Sequence, residues 1–230
     1  MAQAGRVLDG VQDEGRVYIE DEAWIPSDFV HEPPVLNVTQ PKGAFCQIEA
    51  RFSVVLNPDG VYDIITDPNN RRVFKNIKEV TFRKVLEDDG NRQLVEVEQE
   101  ARWRFLIFSG SFPCRVLVEQ NREKHSMTFD LLKKGMMNQF SGSWKIEPMY
   151  LSEASSKVAS EPVNSSKASD PVIGSWLQLH QVLEPSFIPP WPLTSYVRSV
   201  SVKIVREICG DLQRECLRLK QNHSEEQGPN

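Results

Sequence analysis

Three glutamates at alternate positions, Glu96, Glu98 and Glu100, are the first residues of this 230-residue chain that could do acid–base chemistry. Paired carboxylates act as general acid and base when their environments hold them in different protonation states. Alternation at period two puts all three on one face of a strand, beside Arg102 and Arg104. The opposite face carries Val95, Val97, Gln99, Ala101, Trp103, Phe105 and Ile107. Interleaved acids and bases opposite an apolar row describe a solvated strand face, so no catalytic residue is expected here.

The histidines, His31, His125, His180 and His223, are far apart in sequence and none has a partner at metal-ligand spacing. Of these, His180 falls on a strand expected to border the interior. The cysteines, Cys46, Cys114, Cys209 and Cys216, sit inside apolar patterns without a CxxC pair, and are expected to be buried and reduced. No GxSxG, HExxH, P-loop or GxGxxG context occurs, so neither a metal nor a cofactor is expected.

The apolar row offers a different chemistry. Val97, Gln99, Ala101, Trp103 and Phe105, with Phe129, Leu131, Phe140, Trp144 and Leu179, would line a pocket if they enclose one, and would otherwise simply fill a core. Ile204 and Ile208 would face them from a helix. Gln99 is the polar group in the row, either an anchor that orients a ligand or a partner for a neighbouring backbone group.

Two kinds of element must position these residues. Strand-like alternation recurs at about 46–54, 77–87, 93–108, 112–120, 125–133, 137–147 and 173–184. The connections are turn-like: Asp88-Asp89-Gly90-Asn91, Ser109-Gly110, Asn121-Arg122-Glu123 and Lys134-Gly135. After the first strand the period changes. Asn57 is a good N-cap, Pro58 suits the first helical position, and Asp67-Pro68 ends a short helix. Over residues 192–221, Val197, Val200, Ile204, Ile208, Leu212, Cys216 and Leu219 predict one long amphipathic helix. The fold class expected is α+β: a curved antiparallel sheet of about seven strands around a long C-terminal helix.

The domain expected spans residues 44–221. A Ser-rich insertion without periodicity, 152–171, interrupts it between neighbouring strands. Residues 1–43 read as an acidic extension, partly ordered through Trp24, Ile25, Phe29, Val35 and Leu36, and 222–230 as a frayed tail. A net charge of −5 with no Lys/Arg run argues against nucleic acid as a partner. The acidic N-terminus resembles neither a secretory signal nor a transit peptide, which points to the cytoplasm, with a plastid the alternative. A monomer is expected.

Three segments taken together resemble the START-like superfamily, which includes the polyketide cyclase/dehydrase and lipid-transport group and the birch-pollen-allergen-like proteins. They are NPDGVYDIITDPNNRRVFKNI, FDLLKKGMMNQFSGSWKIEP and LEPSFIPPWPLTSYVRSVSVKIVREICGDL. The subtype is similar to plant members, including those near the coenzyme-Q-binding branch, although RRVFKNI lacks that branch's Pro-Trp-Cys-like ending. The resemblance implies a helix-grip fold with a hydrophobic tunnel between sheet and helix. It implies an apolar small-molecule partner, such as a lipid or isoprenoid.

The function expected is non-catalytic binding or transport of an apolar molecule in a cavity between sheet and helix; the alternative is a cyclase/dehydrase-type enzyme, and the third reading a protein-interaction module with a filled core. Phe187, Ile188 and Trp191 form either a portal lip that touches a membrane surface or a rigid proline-rich elbow before the helix.

Overall fold

A computed structural model describes residues 31–105, 107–151, 171–187, 190 and 193–226. Two strands open the chain, β1 (Val35–Thr39) and β2 (Cys46–Val54), followed by helix α1 (Pro58–Thr66) and a 3-10 turn (Asn70–Arg72). Six strands follow: β3 (Ile77–Asp88), β4 (Arg92–Phe105), β5 (Phe108–Asn121), β6 (Ser126–Leu131), β7 (Met137–Tyr150) and β8 (Val172–Pro185). Helix α2 (Leu193–Glu226) closes the described chain. All eight strands form one antiparallel sheet in the order β1-β2-β8-β7-β6-β5-β4-β3.

Strand β1 makes the sheet eight-stranded rather than seven, and it lies in the segment expected to be an extension. It pairs residue for residue with β2, Val35 opposite Arg51 through Thr39 opposite Gln47. Only Val35-Leu36 and Val38 carry its apolar character, too short a run to stand out as a strand. The turn expected at Ser109-Gly110 lies earlier: Phe105 is opposite Phe108, and Ser109 and Gly110 are paired within β5. Gly110 belongs there because a Cβ would sit 2.9 Å from Trp103 Nε1, so the glycine accommodates the indole from the neighbouring strand.

Helix α1 begins as its residues dictate. Asn57 Oδ1 accepts a hydrogen bond from Gly60 N–H at 2.9 Å, and Pro58 occupies the first turn. Val61, Ile64 and Ile65 turn inward. Helix α2 buries Val205, Cys209, Leu212 and Cys216, each with no exposed surface. The expected stripe through Val200 and Ile204 runs beside this one. Residues four apart drift about 40° round a 3.6-residue helix, so a line of repeated fours slides off the buried side. The Val205-Cys209-Leu212-Cys216 line mixes fours and threes and keeps its direction. It shares one core with Phe45, Ile48 and Phe52 of the β2 region and with Leu177 and Leu179 of β8. Gln213 Nε2 adds hydrogen bonds to the carbonyls of Glu32 at 3.0 Å and Ser53 at 3.2 Å. Among the described residues, no helix is long and apolar enough to cross a membrane.

Candidate functional site

The inner face of the sheet is organised in rows of directly opposed residues. One row is Gln93, Gln120, Met127, Trp144 and Leu179, from β4 to β8; the next is Val95, Val118, Phe129, Gly142 and Gln181. Between these rows, the end of α1 and one side of α2 lies a cavity of about 180 Å³. A single water needs roughly 10–15 Å³ of such space, so the void exceeds a packing defect and has room for a small organic molecule.

Its wall is mainly aliphatic and aromatic. Ile65 comes from α1, Phe74 from the segment after the 3-10 turn, Ile77 and Val80 from β3, and Ile208 from α2. Phe129 and Phe140 lie against each other, ring centroids 5.1 Å apart, and Trp144 meets Phe52 edge-on at 6.4 Å. Gly142 lets these rings close in, because a Cβ there would sit 2.6 Å from Phe129 Cζ and collide with the His180 carbonyl oxygen. Polar wall groups are Gln99, Gln120, Gln181, Asn76, Arg83, Asn70, Thr66 and Asp67.

Of the residues expected to line a pocket, Val97, Gln99, Phe129, Phe140, Trp144, Leu179 and Ile208 are on the wall. Ala101, Trp103, Leu131 and Ile204 are not. Ala101 is opposite Ile77, at the margin of the cavity, and Trp103 packs over Gly110 on β5. Leu131 is the last residue of β6, and Ile204 is only half-buried beside Val205. Phe105 is in β4 by its backbone, and its side chain lies outside the description. Phe187 is 73% exposed; Ile188 and Trp191 fall outside the described residues.

The glutamate row sits on the outer face. Arg115 Nε lies 2.7 Å from Glu96 and its Nη1 3.7 Å from Glu98, and its guanidinium covers the Phe82 ring at 4.4 Å. His180 is on that face too, between Glu49 and Ser143. His125 Nε2 is 2.9 Å from Asp59, outside the cavity. Burial pushes the thiols of Cys46 and Cys114 up to about 11, and those of Cys209 and Cys216 to about 12, so all four stay protonated and non-nucleophilic. No group of His, Cys, Asp and Glu suited to a metal occurs among the described residues.

Several wall residues were not singled out from sequence. Val116, Val118 and Gln120 follow β5 alternation and Gln181 follows Leu179, so period two contained the signal. Val80 was hidden, because bulges between Ile77 and Glu79 and between Val80 and Phe82 shift the register.

A curved antiparallel sheet gripping one long helix, with a short helix after the first long strand, is the START-like helix-grip fold. The TTHA0849 structure from Thermus thermophilus is similar, with TM-score 0.50 and 15% identity over 75% of this chain and 98% of that one. So is the ZhuI aromatase/cyclase from Streptomyces sp. R1128, with TM-score 0.52 and 11% identity over 75% of this chain and 93% of that one. A START superfamily protein from Mycobacterium smegmatis aligns with TM-score 0.49 and 12% identity over 75% and 98% of the two chains. The chain itself belongs to the family described as domain of unknown function DUF220, whose model matches residues 35–222. No curated protein matches it.

Proposed function

We propose that this protein binds or carries an apolar small molecule, such as a lipid or isoprenoid, without chemically transforming it. The cavity carries the reading: an aromatic and aliphatic wall with a few neutral amides, built between sheet and helix. Moving a ligand's apolar surface there from water contributes about 25 cal/mol per Å², before the costs of ordering it. A cyclase/dehydrase-type enzyme would need an acid–base pair in the wall. The ionisable wall residues are Arg83 and Asp67, and Asp67 is tied to Arg72 at 2.8 Å. A cation and an ion-paired carboxylate favour holding a ligand over proton transfer.

The test is native mass spectrometry of the purified protein, followed by organic extraction, beside a Val118→Trp variant that fills the cavity. A co-purifying apolar molecule, present on the wild type and lost from the variant, is the expected result. A bare mass that stays bare after incubation with mixed lipids would overturn the reading.

A further inference from the structure

Arg83 is a cation on the wall of an apolar cavity, and among the described residues its guanidinium has neither a hydrogen bond nor an ion pair. Strand geometry explains why no acid neutralises it. Regular alternation from Ile77 would put Glu79 and Thr81 on the inner face. The two bulges replace them with Val80, opposite Gln99, and return Arg83 to the inner face opposite Val97. Glu79 is left outside, opposite Glu100. The remaining carboxylate of the wall, Asp67, is occupied by Arg72 and by the Asn69 N–H at 2.7 Å.

Gln99 is the diagonal cross-strand neighbour of Arg83, about 7–8 Å away between backbones and within reach of two long side chains. Its carboxamide also makes no hydrogen bond among the described residues. Gln120 and Gln181, each only 8% exposed, also line the cavity. A few polar groups on an otherwise apolar wall fix the orientation of what binds there. Guanidinium N–H groups complement a carboxylate, which an amide beside them can also donate to.

Resting on the binding function proposed above, we propose that the ligand is an apolar molecule ending in a carboxylate. Arg83 and Gln99 hold the acid group, and the aromatic wall holds the body.

N-phenyl-1-naphthylamine, a neutral fluorescent probe, reports occupancy of the cavity, and decanoate and 1-decanol compete for it with matched chains. Decanoate is expected to displace the probe at about tenfold lower concentration than decanol, the scale of one charge-assisted interaction. Arg83→Gln weakens displacement by decanoate far more than displacement by decanol and so closes the gap between them, whereas Arg83→Lys keeps most of it. Gln99→Leu narrows it. Equal displacement by the two competitors, or a preference that survives Arg83→Gln in a variant with unaltered thermal unfolding, would overturn the inference alone. Failure of the wild type to bind the probe, decanol or decanoate would overturn the binding function with it.

Discussion

Asp211 of α2 accepts a hydrogen bond from the backbone N–H of Lys75 at 3.0 Å, across 136 residues of sequence. Its side chain is 3% exposed and also meets Lys75 Nζ at 3.8 Å and the Arg214 guanidinium. Lys75 lies between Phe74 and Asn76, both on the cavity wall. The bond therefore fixes the closing helix against one side of the cavity, where apolar packing alone would let the two slide.

Removing that carboxylate leaves a backbone donor without its acceptor. Asp211→Ala is expected to lower stability by roughly 2–4 kcal/mol, and Asp211→Asn by less, because the amide oxygen still accepts. Urea unfolding at neutral pH measures both. A loss below about 0.5 kcal/mol in the alanine variant would show that the tie is not structural.

Gly142, between Phe140 and Trp144 of the wall, has no room for a Cβ. In Gly142→Ala the new methyl meets Phe129 Cζ at 2.6 Å and the His180 carbonyl, so strands β7 and β8 must part. Overpacking of this kind costs about 1–3 kcal/mol, and Phe129 moves with it. A lowered melting temperature together with weaker binding of N-phenyl-1-naphthylamine is expected. An alanine variant as stable as the wild type would refute the account of Gly142.

Buried groups contribute to the pH dependence of stability at both ends of the range. The four thiols bind their protons more tightly in the folded chain than their ordinary value of 9.0, because burial disfavours the thiolate. Their contribution is complete below pH 9 and is lost as pH rises toward 11–12, the unfolded chain having released its protons first. His31 works in the opposite direction. Its pKa lies below 6.5, since burial outweighs the backbone hydrogen bonds at Ser53 and Gln213. Its contribution is full above pH 6.5 and falls as pH drops below that, where the unfolded chain takes up the proton. Urea midpoints measured from about pH 5 to about pH 10.5 should therefore fall at both ends. Cys209→Ser should flatten part of the alkaline fall; an unchanged slope there would remove the thiols from the explanation.

Much of the fold was legible because periodicity is a backbone property. Period two identified seven of the eight strands, and the change of period at Asn57 identified α1 with its cap. The outward assignment of Glu96 and Glu98 followed from the same parity. Strand β1 escaped because a short edge strand buries little and needs little apolar sequence. Its pairing with β2 is a long-range fact.

The candidate site was legible by half, and the dividing line is physical. Alternation tells which way Val97, Gln99, Phe129, Phe140, Trp144 and Leu179 point, and all six reach the wall. It does not tell how far the cavity runs along each strand, and Ala101, Trp103 and Leu131 lie on the same strands beyond the wall. Sequence by itself determined the element types, the inner and outer faces and the sheet-and-helix architecture, because these depend on spacing of a few residues. Only the tertiary structure decided where the void lies, which helix line is buried, and that Arg83 shares the wall with Gln99. Those depend on bulges, on strand register and on contacts between residues far apart in the chain, and local periodicity carries no record of them.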